Sequence, residues 1–373
     1  MEPGKPTSVD SMMASTSHEE TLDCDAFEHL ACPVDGSELK REGAWLVSDS
    51  GRRYPVVDGV AVLLRDDVPE TIGLARQSLD LARRWADGDQ SDPYFIETLG
   101  VSPEQRQQVR EAFSTYDGTG VDPAISYLVA ATNGILYKGL VGQLNAVPIP
   151  DIRLGPGHGS QLLDIGCSWG RWSTAAAAQG YRPIGIDPSV GAVLAARRRA
   201  RHFGIDFRGV VGDARYLPFQ KGSVDTAFSY SVLQHFSKAD AVNAFGEIAR
   251  VVAPGGTVRI QMASATGIRS IQHMARRGFR KPHAFEVRYW SPAQLSRAFR
   301  DAFGDARLEV DCYFGLGLQP SDRPLYGLGG RLILSLSEAI RNASRVIPPL
   351  RYVADSVYLV AKNTPEITRE SGI

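Results

Sequence analysis

The chain has 373 residues, of which 43% are hydrophobic, so it is long enough for two domains with ordinary globular cores. Its 41 Lys and Arg against 42 Asp and Glu give a formal net charge of −1, which excludes a global attraction to nucleic acid or to a membrane. The 4 cysteines show no paired spacing, which argues against a disulfide framework and favours a reducing compartment. Because the sequence shows no signal peptide and no long uncharged apolar run, we expect a cytoplasmic location and no transmembrane segment.

The N-terminal part of the chain divides into a polar tail and a small β-rich segment. Residues 1–25 are polar and acidic, and we expect them to be disordered. Residues 26–66 alternate short β-rich runs with Asp-Gly and Ser-Gly turns, which predicts a small β module. The runs ACP at residues 31–33 and YPVVDGVAVLL at residues 54–64 make this module similar to the zinc-ribbon-like activator proteins that partner RNA and protein methyltransferases.

That resemblance implies a docking site for a protein partner, but the metal part of the pattern is missing. Asp35 stands where a second ligand cysteine is expected, and no later CxxC pair exists in the sequence. Since a structural zinc site needs four ligands, we expect a module that holds no metal and packs on its own apolar residues.

Residues 67–155 are mostly helical in period and are predicted to form a helical cap or linker. Ser102, followed by helix formers as far as Phe113, predicts a helix with a serine N-cap. Residues 125–144 predict one or two helices with an apolar face.

The run LLDIGCSWGRW at residues 162–172 indicates a buried strand that breaks into a glycine turn and then a helix. Gly166 lets the backbone pass close to a ligand, and Gly170 opens the helix whose free N–H groups face that ligand. A dinucleotide-binding GxGxxG motif would need glycine where this chain has Ser168 and Arg171, so a nicotinamide oxidoreductase is disfavoured.

With Asp164 two residues before the glycine turn, the run resembles the first motif of class I S-adenosylmethionine-dependent methyltransferases with a type 11-like core. Asp187 ends the next apolar run, PIGID, at the spacing where a carboxylate can hold both ribose hydroxyls. Asp213 matches the family position that meets the adenine amino group, with Ala214 supplying a backbone contact. The resemblance implies S-adenosyl-L-methionine as cofactor, with Ser168 and Gly170 in its pocket. Tyr230, after the fourth strand, is a candidate for lining this pocket or for contacting the substrate.

Residues 156–363 are predicted to form the methyltransferase domain, an α/β doubly wound, Rossmann-like sheet of seven strands. Five predicted strands alternate with helices, at residues 162–165, 183–186, 206–211, 226–230 and 257–261, and two more lie at residues 306–314 and 355–362.

An insertion at residues 315–350 is too long for a hairpin loop and is predicted to lie on the substrate side. Its helix, residues 331–346, carries Leu332, Leu336, Ile340 and Ala343 at helical spacing. We expect this stripe to pack against the core rather than to contact a membrane. Residues 364–373 are interpreted as a C-terminal tail.

Methyl transfer from a sulfonium is an in-line displacement, so positioning the nucleophile comes before proton transfer. For an oxygen nucleophile a base helps, and His235, just past the fourth strand, is the candidate. The alternatives are that it caps a helix or touches the carboxylate side of the cofactor. Gln234 is a candidate substrate contact on the same segment.

Six Lys or Arg and one acid, Glu286, occupy residues 269–288, the clearest basic run of the chain. It is interpreted either as a solvated face or as a site where Arg276, Arg277 and Arg280 hold an anionic acceptor such as a sugar phosphate, a lipid-linked glycan or a carboxylated metabolite. Tyr137, in the helical cap, is a candidate substrate contact whose alternative is helix packing.

The sequence therefore predicts a methyltransferase acting on a small-molecule or glycan acceptor at a hydroxyl oxygen, with peripheral membrane contact left open. RNA or protein methylation is an alternative, but the fourth-strand segment SYSVLQHF lacks the Asn/Asp-Pro-Pro-aromatic motif of that chemistry, and no extended basic surface is evident. A non-catalytic, cofactor-binding regulatory protein is the other alternative.

Overall fold

The computed structural model describes residues 27–132 and 135–364. The predicted tail at residues 1–25 and residues 365–373 of the second tail lie outside the described residues.

The described strands form one mixed sheet of 11 strands in the order β1-β2-β3-β4-β7-β6-β5-β8-β9-β11-β10. Their bounds are β1 Leu39–Glu42, β2 Trp45–Ser48, β3 Arg53–Val57, β4 Val60–Val62, β5 Gln161–Ile165, β6 Arg182–Asp187, β7 Arg208–Val211, β8 Val224–Ser229, β9 Val252–Ala263, β10 Arg307–Cys312 and β11 Ser356–Lys362.

The α-helices of the described residues are α1 Leu74–Ala86, α2 Pro103–Thr115, α3 Pro123–Thr132, α4 Ile135–Lys138, α5 Arg171–Ala178, α6 Val190–His202, α7 Lys238–Val251, α8 Ile268–Arg276, α9 Pro292–Phe303 and α10 Leu328–Ala343. Strands β5 to β9 pair in parallel, and β11 runs antiparallel between β9 and β10. Helices α1, α5 and α6 cover one face of the sheet, while α7 and α9 cover the other, which is the doubly wound α/β arrangement that the sequence predicted.

The sheet is larger than the predicted seven strands because the N-terminal β module does not stand apart from it. Strand β4 pairs in parallel with β7, with Ala61 opposite Val210 and Val62 opposite Val211. The Ala31 N–H also donates to the Pro218 carbonyl at 3.0 Å. An edge strand exposes unpaired N–H and C=O groups, so this pairing covers the edge that β7 would otherwise present.

Asp35 in the module is tied to two serines. Its Oδ1 accepts from the Ser37 N–H and hydroxyl, and its Oδ2 accepts from the Ser50 hydroxyl at 2.6 Å. These bonds hold the pKa of Asp35 well below its usual value, with the Ser50 bond contributing most. Among the described residues, no group of three or more His, Cys, Asp and Glu is placed to hold a metal ion.

The helical cap follows the sequence prediction at its capped helix. Ser102 is the N-cap of α2, and the Ser102 hydroxyl and the Gln105 side chain satisfy each other's backbone N–H groups in a capping box. Helices α3 and α4 lie where one or two apolar-faced helices were predicted, and they pack around Trp169, which is buried at the turn before α5.

The helix of the insertion differs from its prediction in position and in orientation. Helix α10 begins and ends three residues before the predicted range. The predicted packing is confirmed for Ile340, which lies against the main core, but it is wrong for Leu332 and Leu336, because these side chains are 72% and 52% exposed. The helix instead buries Leu334 and Ser337, whose hydroxyl accepts a hydrogen bond from the Tyr313 N–H at 2.9 Å. No described helix combines the length and apolar content needed to cross a membrane.

Candidate active site

The candidate site lies where β5, β6, β7 and β8 end, since parallel strands bring their carboxyl ends to one edge of the sheet. The N–H groups of Gly166 and Cys167 both donate to the Ile186 carbonyl, at 2.8 and 3.0 Å, which fixes the turn after β5 against the end of β6. A cleft of about 450 Å³ between the ends of α5 and α6 lies at the opposite edge and is not part of this site.

Gly166 is required at this turn by conformation and by space. Its φ is +74°, a region that costs an L side chain about 1–2 kcal/mol. A Cβ built on Gly166 would lie 2.2 Å from Val232 Cγ2, which no ordinary adjustment relieves. The backbone at Gly166 is therefore held directly beneath the segment that follows β8.

Asp187 closes the turn from the side of β6. Its Oδ2 accepts from the Ser168 N–H at 3.0 Å and its Oδ1 accepts from the Ser189 N–H at 3.0 Å. Burial raises the pKa of Asp187 to about 6 although both N–H bonds favour the charged form. Ser168 has φ +45°, and Gly170, at the start of α5, has φ +79°.

Asp164 lies behind the turn rather than on its surface. It is 1% exposed, and its Oδ2 accepts from the Ser173 hydroxyl at 2.7 Å. Burial, reinforced by the nearby Asp187 charge, raises the pKa of Asp164 to about 7. Two carboxyl groups with raised pKa values thus flank one glycine turn, an arrangement typical of a functional site.

Asp213 follows β7 and is bound by Arg215, a residue that the sequence pattern did not single out. The Arg215 guanidinium binds it in a bidentate way, with Nη2 2.6 Å from Oδ2 and Nε 3.1 Å from Oδ1. Arg215 Nη2 also donates to the Pro69 carbonyl at 2.7 Å. Each Asp213 oxygen accepts two hydrogen bonds from Arg215, so a ligand that donates to this carboxylate competes with that residue. Within the described residues, the Ala214 N–H donates to no backbone or side-chain acceptor.

Tyr230 joins the start of α5 to the insertion, since its ring lies 4.4 Å from that of Trp172 and its hydroxyl contacts Gln319. Its hydroxyl donates to Asp311 Oδ2 at 2.8 Å and accepts from Gln319 Nε2 at 2.6 Å. Asp311 Oδ2 also accepts from the Ser356 hydroxyl at 2.7 Å. Burial raises the pKa of Tyr230 well above its usual value, so the hydroxyl remains a proton donor. This buried network could have been suspected only from the polar residues at the ends of β10 and β11.

His235 is held in one tautomer and one orientation. Its Nδ1 lies 2.7 Å from the Phe285 carbonyl, and because a carbonyl only accepts, Nδ1 carries the proton and donates. The ring stacks on Phe285 with 4.1 Å between centroids, and Arg288 donates to the His235 carbonyl. Burial lowers the pKa of His235 below its usual value near 6.5, so the imidazole is neutral at pH 7.

Gln234 is next to this histidine and is buried. Its Nε2 donates to the Ser231 hydroxyl at 2.7 Å, while its Oε1 has no partner among the described residues. A buried amide oxygen without a partner is costly, so Gln234 offers an acceptor to a ligand that donates a proton.

The basic run divides between internal ion pairs and free cations. Arg280 binds Glu286 at 2.6 Å and Arg277 lies 3.4 Å from the same carboxylate. Arg276, at the end of α8, is exposed and has no ion pair among the described residues. Tyr137 is not near this run: it is 1% exposed, and its hydroxyl donates to Asp322 of the insertion.

The site also fits the cofactor that the sequence motif implies. Asp187 offers a carboxylate at the end of β6, and the Ala214 N–H beside Asp213 has no acceptor among the described residues. These groups suit a nucleoside with an amino acid portion, because ribose hydroxyls need an acceptor and an adenine ring needs a donor and an acceptor.

Comparison with known proteins agrees with this geometry. Residues 162–256 match the family described as "Methyltransferase domain". The chain is 30% identical to the ubiquinone biosynthesis O-methyltransferase of Agrobacterium fabrum over 150 residues, which is 38% of this chain and 58% of that protein. It is 38% identical to 24-methylenesterol C-methyltransferase 2 of Oryza sativa over 104 residues, 27% of this chain and 28% of that protein.

The similarity is confined to part of each protein. The chain matches 29% of the length of the biotin biosynthesis bifunctional protein BioHC of Cellvibrio japonicus, with 30% identity over 169 residues, 44% of this chain. A solved N-methyltransferase of Haemonchus contortus, in complex with phosphomonomethylethanolamine and S-adenosylhomocysteine, shares 19% identity with a TM-score of 0.41, covering 63% of this chain and 59% of that one. The chain spans less than two thirds of the length of the curated relatives it matches.

The fold and the family match define a class I methyltransferase domain of Rossmann-like architecture. Residues 162–256 therefore carry a methyltransferase domain, a family whose cofactor is S-adenosyl-L-methionine.

Proposed function

We propose that this chain transfers the methyl group of S-adenosyl-L-methionine to a hydroxyl oxygen of a small-molecule or glycan acceptor that is anionic or lipid-linked. The proposal that the methyl group goes to a hydroxyl oxygen rests on the orientation of His235. With Nδ1 donating to Phe285, the lone pair lies on Nε2, which has no hydrogen-bond partner among the described residues. A neutral imidazole of this kind accepts a proton from a hydroxyl.

When bound, the cofactor supplies an electrophilic methyl group on a positively charged sulfonium. The residues of the chain hold and orient the reactants. In this proposal Gly166, Ser168 and Gly170 form the floor under the methionine portion, Asp187 accepts from the ribose hydroxyls, and Asp213 with Ala214 contacts the adenine. Asp164 supports the turn from behind.

The acceptor side is formed by the segment after β8 and by the insertion. Gln234 Oε1 accepts from a second donor group of the acceptor, and His235 Nε2 takes the proton of the reacting hydroxyl as its oxygen attacks. Tyr230, held by Asp311 and Gln319, shapes the wall on the insertion side. Excluding water here matters because the cofactor's methyl group must meet a positioned nucleophile.

Charge near this segment supports an anionic acceptor. Arg276 is a free cation, whereas Arg277 and Arg280 share Glu286 and reach an anion only by giving up that pair. Two relatives are named for ubiquinone and sterol methylation, which supports an acceptor carried on an apolar lipid.

Calorimetry of S-adenosylmethionine and S-adenosylhomocysteine, with the wild type and Asp187→Ala, tests the cofactor site. We expect binding to the wild type and a loss of affinity of at least tenfold in the variant. A folded wild type that binds neither compound would overturn the proposal.

A radiolabelled-methyl screen with sugar phosphates, lipid-linked glycans and quinone precursors then tests the acceptor. His235→Gln should lower kcat by about 10²-fold or more while cofactor affinity stays unchanged. His202→Gln, on the exposed end of α6, is the matched control and should retain full activity. Product labelled at nitrogen or carbon, with His235→Gln fully active, would contradict transfer to oxygen.

A further inference from the structure

The exposed large hydrophobic side chains of this protein are concentrated in one part of the chain. Among the described residues, all of them except Phe203 and Val242 lie between Ile268 and Val353. Scattered exposed apolar residues are ordinary, but a contiguous group marks a surface that contacts a partner.

Helix α8 turns its apolar stripe away from the protein. Ile268 and Ile271 are 64% and 47% exposed, and Ala275 follows on the same side at helical spacing. Ser270, on the opposite side, is the only buried residue of the helix. Ile268 and Ile271 therefore face solvent, although apolar residues of an amphipathic helix usually face the core.

Helix α10 repeats this arrangement. Leu328, Leu332 and Leu336 follow one another at four-residue spacing and are 81%, 72% and 52% exposed. Leu334 and Ser337 anchor the other side of the helix. The outward stripe is thus independent of the residues that hold α10 in place.

The two stripes are joined by the segment that follows α10. The Thr266 hydroxyl, just before α8, donates to the Tyr352 carbonyl, and Arg351 donates to the Ser344 carbonyl at the end of α10. This connecting segment is itself exposed, with Val346 at 80% and Tyr352 at 57%. We call residues 268–290 and 328–353 together the docking face.

The docking face is strongly basic although the chain is nearly neutral. It holds ten Lys and Arg against two Glu, a formal charge of +8, whereas the rest of the chain carries −9. Both acids are already paired, Glu286 with Arg277 and Arg280, and Glu338 with Arg341. The apolar stripes are therefore framed by cations with no free acid between them.

We propose that the docking face binds the surface of an anionic phospholipid bilayer. Exposed aliphatic and aromatic side chains framed by Lys and Arg are the pattern of an interfacial, not a spanning, membrane contact. A second copy of the chain would bring two faces of charge +8 together, and a nucleic acid offers no aliphatic surface for the leucine stripe.

The docking face lies at the edge of the sheet that carries the candidate site. Helix α8 follows the carboxyl end of β9, and α10 lies between the end of β10 and the start of the antiparallel β11. Both helices therefore lie at the same edge of the sheet as the glycine turn. A bilayer on this face places lipid on the acceptor side of the site.

The test is vesicle flotation of the full chain without cofactor, so its result does not depend on the proposed function. We expect the wild type to float with vesicles of equal parts phosphatidylcholine and phosphatidylglycerol, and not with phosphatidylcholine alone. Raising the salt from about 0.1 M to about 1 M, where screening shortens from about 10 Å to about 3 Å, should weaken binding.

Two variants separate the apolar and charged contributions. Ile268→Ser with Leu332→Ser, and Arg269→Glu with Arg345→Glu, should each lower the partition coefficient at least tenfold with unchanged melting temperature, since all four side chains are exposed. Phe203→Ser with Val242→Ser, and Arg297→Glu with Arg307→Glu, are matched controls that should bind as the wild type does.

Three results would overturn the proposal. One is a wild type that floats with neither vesicle, and another is equal loss in the variants and their controls. The third is a wild type that dimerises or binds RNA through this face, as judged by light scattering and gel shift with the same variants, while showing no vesicle binding.

Discussion

The Tyr137 hydroxyl donates a hydrogen bond of 2.7 Å to Asp322 Oδ1, across 185 positions of sequence. Arg171, the first residue of α5, binds the same oxygen at 2.6 Å. All three side chains are buried. This junction fixes the helical cap and the insertion to the helix that starts at the glycine turn, so the two segments flanking the site are held through one carboxylate.

Removing that carboxylate should destabilise the fold strongly. Asp322→Ala leaves the Arg171 charge buried without a partner, and we expect a loss of about 3 kcal/mol in the free energy of unfolding, measured in urea. Asp301→Ala, at an exposed ion pair on α9, is the control and should change stability by less than about 0.5 kcal/mol. Tyr137→Phe should cost about 1 kcal/mol. Equal losses of unfolding free energy in Asp322→Ala and Asp301→Ala would contradict a stabilising role for the buried contact of Asp322 with Arg171.

The glycine turn should tolerate no side chain. Gly166→Ala combines a positive φ with a contact of 2.2 Å to Val232, so we expect loss of cofactor binding and a lower melting temperature. Gly36→Ala is a matched control, because Gly36 has φ +73° and open space around it. It should lose about 1–2 kcal/mol from backbone strain alone and keep cofactor binding. Adding Val232→Ala to Gly166→Ala should restore part of the stability, and no restoration would mean that the clash is not the cause.

Cofactor affinity should rise with pH between about 5 and 8. The pKa of Asp187 is raised to about 6 and that of Asp164 to about 7, mainly by burial. Ribose hydroxyls and a positive sulfonium favour the ionised carboxylates, so binding releases protons at low pH. Calorimetry in buffers of different ionisation enthalpy measures this release. Asp187→Asn should flatten the profile, whereas Asp206→Asn, exposed at the opposite edge, should not.

In the free protein, Asp187 and Asp164 make stability fall as pH rises, which is opposite to the pH dependence of cofactor affinity. Because both folded pKa values are raised, their contribution to stability is full below the usual Asp pKa and is lost as pH rises through about 6 and about 7. The melting temperature of the free protein should therefore gain from Asp164→Asn at about pH 8 and not at about pH 4. A gain of the same size at both pH values would contradict the raised pKa.

The turnover rate should fall on the acid side only below pH 6.5. Burial lowers the pKa of His235 from its usual value of 6.5, so the neutral base persists to lower pH than a free histidine would allow. The kcat/KM profile should show this acid limb in the wild type and lose it in His235→Gln. An acid limb that remains in the variant would assign it to another group.

The order of strands, the glycine turn and the acids at strand ends were predictable because each depends on residues close in sequence. The apolar runs of β5 and β6, the positive φ that Gly166 must adopt, and the spacing to Asp187 are local patterns that the fold follows. The Ser102 capping box is of the same kind.

The features of the fold and of the site that the sequence did not predict depend on contacts between segments distant along the chain. The pairing of β4 with β7, the Arg215 clamp on Asp213 and the Tyr137–Asp322 junction each join residues whose meeting no local pattern encodes. The stripe of Leu332 and Leu336 shows the limit most clearly, since helical spacing gave its amphipathic face correctly but not the direction in which that face points. Periodicity is a property of one helix, whereas burial depends on what the folded chain places against it. Here Leu334 and Ser337 face the protein, Leu332 and Leu336 of the predicted stripe face outward, and Ile340 packs against the core.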